Sequence, residues 1–135
     1  MKIYFAGSIS GGRERVEDFK KIIYALQKKH TVFTEQLTVV KAMPEGDKSF
    51  VKEMFDRGLV WIKDSDVLVA DVSIPSVGVG WEIGFVESLG KRVICLYNVN
   101  SEKKLSTTVE GNPKNEIIKY NSVDEVIEKL NKLLG

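Results

Sequence analysis

The sequence contains little cysteine and little histidine, and neither charge is in excess. The single cysteine, Cys95, cannot form a disulfide within the chain, and its apolar neighbours predict an unreactive thiol inside a strand. With one histidine, His30, far from it in the sequence, we expect neither a Cys–His catalytic pair nor a metal site. The 20 Lys and Arg residues nearly balance the 19 Asp and Glu residues, which argues against binding to a nucleic acid polymer through its phosphates.

Long apolar runs are also absent. No stretch approaches the roughly 18 apolar residues of a membrane span, and the start of the chain, residues 1–7, is too short an apolar segment for a signal peptide. We therefore expect a cytoplasmic protein without a membrane partner. At 135 residues the chain can bury roughly two thirds of the surface that it exposes when unfolded, which is enough for one core. The prediction is a single domain over residues 1–135.

Short apolar runs alternate along the chain with helical patterns, which is typical of βαβ units. The predicted strands cover residues 3–6, 31–34, 67–72, 92–97 and 116–120. The predicted helices cover residues 13–29, 49–63 and 80–90 and the segment after the capping box of Ser122 and Glu125. This order predicts an α/β fold, a flavodoxin-like doubly wound five-stranded parallel sheet with about four helices. Because such sheets bind ligands beyond the carboxyl ends of their strands, the segments after strands one, three and four form the candidate site.

The segment after the first strand, residues 7–13 (GSISGGR), leads directly into a helix. Its glycines let the backbone approach a ligand, and the free N–H groups of a helix start attract an anion, so a phosphate or a carboxylate is the expected ligand. Ser8, Ser10 and Arg13 would add donors. No Gly-Lys-Ser/Thr closes the segment, so triphosphate binding has no support. The structural alternative is a tight strand-to-helix turn.

The segment after the third strand, residues 73–84 (SIPSVGVGWEIG), lacks the glycine spacing of a dinucleotide fingerprint, and we expect no cofactor. It places Glu82 in the first turn of a helix, where the helix dipole would favour the ionised form that suits a nucleophile. An acid in a first helical turn is also common simply for stability. Asp71, at the end of the third strand, could face the pocket and contact a base. Trp81 could stack on a base or pack under its helix.

Residues 3–13 and 75–84 together resemble the nucleoside 2-deoxyribosyltransferase family, and within it the 2'-deoxynucleoside 5'-monophosphate N-glycosidases. The similarity continues through residues 94–97 to Leu105 and Ser106, so it covers most of the chain in order. It implies the doubly wound fold and an enzyme that releases the base from a deoxynucleotide.

The resemblance also implies roles for individual residues. Glu82 matches the catalytic glutamate that attacks the anomeric carbon and forms a glycosyl-enzyme ester, and Tyr4 matches the tyrosine beside the sugar. Ser106 matches a serine that the neighbouring subunit contributes to the 5'-phosphate site, which implies a homodimer. The residues expected at the substrate are Gly7, Ser8, Ile9, Ser10, Gly11, Arg13, Asp71, Ser76, Gly78 and Ser106.

Two positions depart from the family's pattern. The family usually has an aspartate three residues before the position of Trp61, and this chain has Gly58 there. Asp56 is the catalytic candidate in its place, although it lies about 200° away around an ideal helix and can substitute only where the helix is irregular. The hydrolases carry an arginine at the position of Ser10, and Arg13 is close enough in sequence to compensate.

The predicted function is hydrolysis of the N-glycosidic bond of 2'-deoxynucleoside 5'-monophosphates, with water resolving the ester and configuration retained. The same residues would serve a deoxyribosyltransferase that passes the sugar to another base. A nucleotide-binding protein without turnover is a third possibility, motivated by Gly58. A flavodoxin-type electron carrier is a more distant one.

Overall fold

The computed structural model describes residues 1–8, 12–37 and 48–135. The strands are β1 (Lys2–Gly7), β2 (Thr31–Thr34), β3 (Val67–Asp71), β4 (Arg92–Asn98) and β5 (Asn115–Tyr120). The helices are α1 (Gly12–Gln27), α2 (Lys48–Asp64), α3 (Val77–Ser88), α4 (Thr107–Gly111) and α5 (Val123–Leu134). None of the helices in these ranges is long and apolar enough to cross a membrane.

The five strands form one parallel sheet in the order β2-β1-β3-β4-β5. This is the flavodoxin-like order, so the predicted fold class is confirmed. The described part of the chain has five helices where we expected about four. The additional one, α4, has five residues, which is too short to show a helical period in the sequence.

Each face of the sheet carries its own hydrophobic core, because alternate residues of a strand point to opposite sides. On one face, Ile3 and Phe5 of β1 pack with α1 and α5. On the other face, Tyr4 and Ala6 of the same strand pack with α2 and α3. The side of the sheet on which a strand residue lies therefore decides which helices it meets.

Helix α3 begins and ends at residues that cap it. The Ser76 hydroxyl accepts a hydrogen bond from the Val79 backbone N–H at 3.3 Å, so the helix starts at Val77 rather than at the predicted Gly80. At the other end Gly90 adopts a φ of 72°, a conformation that glycine reaches without strain. The predicted glycine stop is confirmed, and the earlier start changes the position of Glu82 in the helix.

Candidate active site

A cavity of about 280 Å³ opens at the carboxyl ends of β1 and β2, between α2 and α3. The registers pair Gly7 with Asp71 and Phe5 with Thr34, so these strand ends share one edge of the sheet. The polar side chains that line the cavity come from three separate segments of the chain. They are Tyr4, Glu35, Gln36 and Glu82, with Gly7, Gly58 and Gly78 between them.

Tyr4 and Glu82 meet in this cavity, as the resemblance predicted. The Tyr4 side chain is buried on the α2 and α3 side of the sheet, and its hydroxyl interacts with the Glu82 carboxylate in the same cavity. Burial, together with the negative charge of Glu82, raises the pKa of Tyr4 far above its usual range. Tyr4 is therefore a neutral donor that fixes the orientation of the carboxylate.

Glu82 is the sixth residue of α3, one turn later than expected, because Ser76 caps the helix. The prediction that Glu82 lies in the first turn, where the helix N-terminus would favour its ionised form, is wrong. Burial raises the pKa of Glu82 above the usual carboxyl value, while the hydrogen bond from Tyr4 acts in the opposite direction. A half-buried carboxylate with weakened hydration and one oriented donor has the chemistry of a nucleophile toward an electrophilic carbon.

Glu35 is a second carboxylate in the cavity, and sequence reasoning missed it. It directly follows β2, and its oxygens accept hydrogen bonds from Arg57 Nε at 3.1 Å and Arg57 NH2 at 2.6 Å. The Arg57 guanidinium lies over the ring of Trp61, with 5.0 Å between the central carbon and the ring centroid. Its position directly after a parallel strand was the available signal, but the predicted site included only the segments after strands one, three and four.

The structure excludes Asp56 from the cavity, so its assignment as a catalytic residue is wrong. Helix α2 continues through this position without a break, and the exposed Asp56 carboxylate pairs with Lys52 at 2.6 Å. Gly58 is the residue that faces the cavity. A Cβ atom built there would lie 3.7 Å from the Tyr4 hydroxyl, so a side chain at this position would enter the site.

The predicted anion site, residues 7–13, is only partly described by the structure. Gly7 lines the cavity, and a side chain there would collide with the Phe19 ring, which is 2.8 Å from a built Cβ atom. The Gly7 carbonyl accepts a hydrogen bond from Gln36 Nε2 at 2.7 Å. Ser8 is buried at the end of the strand. Ile9, Ser10, Gly11 and the side chain of Arg13 lie outside the described residues.

Gly78 lines the cavity of Tyr4 and Glu82, but Ser76 and Ser106 do not. These two serines line a second cavity, of about 310 Å³, on another face of α3. Each caps a helix, since the Ser76 and Ser106 hydroxyls accept hydrogen bonds from the N–H groups of Val79 and Val109. Within one chain, therefore, neither serine joins the Tyr4–Glu82 pair, and the contribution of Ser106 to a neighbouring site stays a prediction.

Asp71 lies on the opposite face of the sheet, so the expectation that it faces the pocket is wrong. Its side chain is 2% exposed and pairs with Arg15 at 2.9 Å. The Tyr120 hydroxyl donates to the other carboxylate oxygen at 2.7 Å, and burial beside Asp71 raises the pKa of Tyr120 to about 12. The Ser73 backbone N–H donates to Asp71 Oδ1 at 3.0 Å, so this buried network anchors the loop that leads into α3.

An exposed aromatic surface borders the cavity. Trp81 is 48% exposed and its ring centroid lies 5.6 Å from that of Phe55 and 5.1 Å from that of Phe85. Trp81 therefore packs against its neighbours on the surface instead of under its helix, and it also lines the cavity. An apolar surface of this kind next to a site is typical of a protein interface.

The sequence model of the nucleoside 2-deoxyribosyltransferase family matches residues 3–117. A 5-hydroxymethyl-dUMP N-hydrolase from Danio rerio is 41% identical over 112 residues, which cover 82% of this chain and 78% of the relative.

Two solved structures share the fold. A 2-deoxyribosyltransferase from Bacillus psychrosaccharolyticus superposes with a TM-score of 0.73 and 20% identity, covering 94% of this chain and 90% of its own. A CMP N-glycosidase from Clostridium botulinum superposes with a TM-score of 0.71 and 18% identity, covering 97% and 99%. The predicted resemblance is confirmed: the chain belongs to the nucleoside 2-deoxyribosyltransferase family.

Proposed function

We propose that the protein is an N-glycosidase that hydrolyses 2'-deoxynucleoside 5'-monophosphates to a free base and 2-deoxyribose 5-phosphate. The observation that carries the proposal is the Tyr4–Glu82 pair inside a cavity at the carboxyl edge of the sheet. A relative named 5-hydroxymethyl-dUMP N-hydrolase, at 41% identity, supports both the reaction and a deoxynucleoside monophosphate as substrate. The family membership supports transfer chemistry at a deoxyribosyl carbon.

In the first step a Glu82 oxygen attacks the anomeric carbon of the sugar. The electron pair of the carbon–nitrogen bond leaves with the base, which takes up a proton, and the sugar becomes an ester of Glu82. Tyr4 stays protonated throughout because its pKa is raised, and its hydroxyl holds Glu82 in line with the carbon. The oxocarbenium-like transition state forms more readily on a deoxyribose, which lacks the electron-withdrawing 2'-hydroxyl.

In the second step water attacks the same carbon and the ester bond breaks. Its electron pair returns to Glu82 as a carboxylate, and the water loses a proton. Two displacements at one carbon retain its configuration, as in retaining sugar hydrolases. The 5'-phosphate would bind at the end of β1, where Gly7 and Ser8 lead toward the start of α1.

The active form in this proposal is a homodimer in which Ser106 reaches the neighbour's phosphate. The exposed rings of Phe55 and Trp81, which pack with the half-buried Phe85 beside the cavity, support association of two copies. Measuring the activity of a mixture of Glu82→Ala and Ser106→Ala subunits tests whether the site is shared between two subunits. A heterodimer would then contain one site with both an intact Glu82 and an intact Ser106, and activity would rise above that of either variant alone. Activity that is only the average of the two would contradict a shared site.

The central experiment measures free base by chromatography. Wild-type protein and Glu82→Ala are incubated with each deoxynucleoside monophosphate, including 5-hydroxymethyl-dUMP, and with the matching ribonucleotide and deoxynucleoside. We expect base release from deoxynucleotides by the wild type and a loss of at least roughly 10⁴-fold in the variant, because the nucleophile is gone. Release of base by Glu82→Ala at the wild-type rate would refute the role of Glu82 as the nucleophile. A second free base added to the reaction separates hydrolysis from transfer, since only transfer produces a new deoxynucleotide.

A further inference from the structure

The proposed homodimer places Ser106 at the neighbour's phosphate, so the position of Ser106 on its own subunit matters for substrate binding. Ser106 ends the loop between β4 and α4, and it lines a cavity of about 310 Å³ together with Ser76 from the loop between β3 and α3. These two loops meet at Ser73, which lies two residues after the end of β3 and is 1% exposed. The contacts of Ser73 therefore decide how the two loops are held together.

Ser73 binds the second loop through two of its atoms. Its hydroxyl oxygen accepts a hydrogen bond from the Asn98 backbone N–H at 2.8 Å, where β4 ends. Its backbone carbonyl accepts a hydrogen bond from the Ser101 hydroxyl at 2.6 Å. The Ser73 N–H donates to Asp71 Oδ1 at 3.0 Å, an oxygen that asparagine would also provide at position 71. Two of the three polar groups of this buried residue thus hold the loop that leads to Ser106.

Ser101 is the point at which the loop after β4 turns back toward Ser73. Its backbone N–H donates to the Asn98 carbonyl at 3.0 Å, and its hydroxyl oxygen accepts from the Lys103 N–H at 3.2 Å. The Tyr97 hydroxyl donates to the Lys103 carbonyl at 2.5 Å. The turn is therefore fixed by local hydrogen bonds, and the Ser101 hydroxyl joins it to the neighbouring loop.

A serine that caps a helix can still bind a ligand. The Ser106 hydroxyl accepts a hydrogen bond from the Val109 N–H at 3.5 Å, and an accepting hydroxyl keeps its hydrogen for another acceptor, such as a phosphate oxygen. Ser106 is exposed, so this hydrogen can point away from its own subunit. Because hydrogen bonds weaken steeply outside a narrow range of distance and angle, a shift of the loop would weaken the contact with a neighbour's phosphate.

We propose that Ser101, through its hydrogen bond to Ser73, is a positioning residue for recognition of the 5'-phosphate; this assignment rests on the proposed function. Loss of the Ser101 hydroxyl would detach the loop after β4 from the loop that starts α3, and Ser106 would lose its fixed position. Tyr4 and Glu82 line a different cavity, so the two chemical steps stay as they are in the wild type. The link therefore acts on binding of the phosphate and not on turnover at saturation.

The test measures kcat and KM of Ser101→Ala with the deoxynucleoside monophosphate that the wild type cleaves fastest, and the inhibition constant of inorganic phosphate. We expect both KM and the inhibition constant to rise roughly tenfold, while kcat stays within about twofold of the wild type. The matching deoxynucleoside, which has no phosphate, should be cleaved with the efficiency of the wild type. Ser101→Thr keeps the hydroxyl and should restore the affinity for phosphate.

Ser88→Ala is the matched control. The Ser88 hydroxyl also donates to a backbone carbonyl at 2.6 Å, that of Phe85, but Ser88 lines neither cavity. This variant should keep the KM of the wild type. Ser73→Ala approaches the link from its other side, since the Asn98 N–H loses its acceptor, and it should also raise KM selectively for substrates with a phosphate. Thermal unfolding of each variant shows whether the fold is retained.

Three outcomes would overturn the assignment. An unchanged KM and an unchanged inhibition constant in Ser101→Ala would show that the link does not serve the phosphate. Equal losses on the deoxynucleotide and the deoxynucleoside would assign Ser101 a general structural role. A loss in Ser101→Thr as large as that in Ser101→Ala would show that the hydroxyl is not what matters.

Failure of the proposed function would be recognised separately, because the wild type would then release no base from any deoxynucleotide. Isothermal titration with inorganic phosphate still decides the role of Ser101 in that case. Weaker binding by Ser101→Ala than by the wild type would support it. Equal binding, or no binding by the wild type, would overturn it.

Discussion

Replacing Asp71 with asparagine should destabilise the protein without weakening substrate binding. The carboxylate accepts two hydrogen bonds, from the Ser73 N–H at 3.0 Å and from the Tyr120 hydroxyl at 2.7 Å, and forms an ion pair with Arg15 at 2.9 Å. Asparagine keeps the shape but removes the negative charge, so Arg15, whose side chain is only 14% exposed, loses its buried counter-charge. The whole network lies on the α1 and α5 side of the sheet, away from Tyr4 and Glu82.

The magnitude follows from the type of interaction. Removing one partner of a buried ion pair costs roughly 3–5 kcal/mol, and we expect about 2–4 kcal/mol here because Arg15 retains a weaker contact with Asp18 at 3.7 Å. For a domain of this size that loss lowers the midpoint of thermal unfolding by about 10 °C. Tyr120→Phe removes two hydrogen bonds to charged groups, the one that the hydroxyl donates to Asp71 and the one that it accepts from Arg15, and should cost at least about 1.5–3 kcal/mol.

Urea unfolding followed by circular dichroism measures the free energy of unfolding, and KM for a deoxynucleotide is measured on the same samples. Asp18→Asn is the matched control, since its partly exposed contact with Arg15 should contribute less than about 1 kcal/mol. The reasoning is refuted if Asp71→Asn unfolds at the wild-type urea concentration but shows a raised KM. That result would place the Asp71 carboxylate on the substrate, as the sequence first suggested.

Two further predictions concern Tyr4 and Gly58. Because burial raises the pKa of Glu82 and the hydrogen bond from Tyr4 lowers it, Tyr4→Phe should move the acid limb of the kcat/KM profile to higher pH, where the nucleophile ionises in the variant. A limb that stays in place or moves to lower pH would contradict this arrangement. Gly58→Ala should raise the free energy of unfolding by about 1 kcal/mol, because Gly58 lies inside α2. The nearest atom to a Cβ there is the Tyr4 hydroxyl at 3.7 Å, so a lower thermal midpoint would show an unexpected collision.

Local patterns in the sequence were sufficient to locate those strands and helix ends that depend on only a few neighbouring residues. The apolar runs located all five strands within about two residues of their observed ends, because buried parallel strands are apolar on both faces. The capping box located the start of α5, where the Ser122 hydroxyl accepts from the Glu125 N–H. The same reasoning failed at α3, because the glycine-rich segment hides the cap at Ser76, and this placed Glu82 one turn too early.

Contacts between residues that are far apart in the sequence could not be predicted, because no local pattern encodes them. Glu35 and Arg57 are 22 residues apart, on either side of a connection that gives no sign of bringing them together. Asp71 lies two residues after Val69 and four after Val67 in β3, so its side chain points to the same face of the sheet as theirs. Those two side chains belong to the core on the α1 and α5 side. That face could be assigned only once the register and the helix positions were known, since a strand's alternation does not say which helices cover each side.

By itself, the sequence determined the doubly wound sheet and the family to which the chain belongs, and the resemblance to that family implied the pairing of Tyr4 with Glu82. The spacing of apolar residues and the positions of glycines set strands and turns within a few residues of the chain. The parallel order of the strands then brings their carboxyl ends to one edge of the sheet. Only the tertiary structure decided that Asp71 is buried behind the sheet, that Asp56 is outside the cavity and that Glu35 is inside it. These assignments depend on side-chain direction and on which segments pack together, and both are set when the whole core forms.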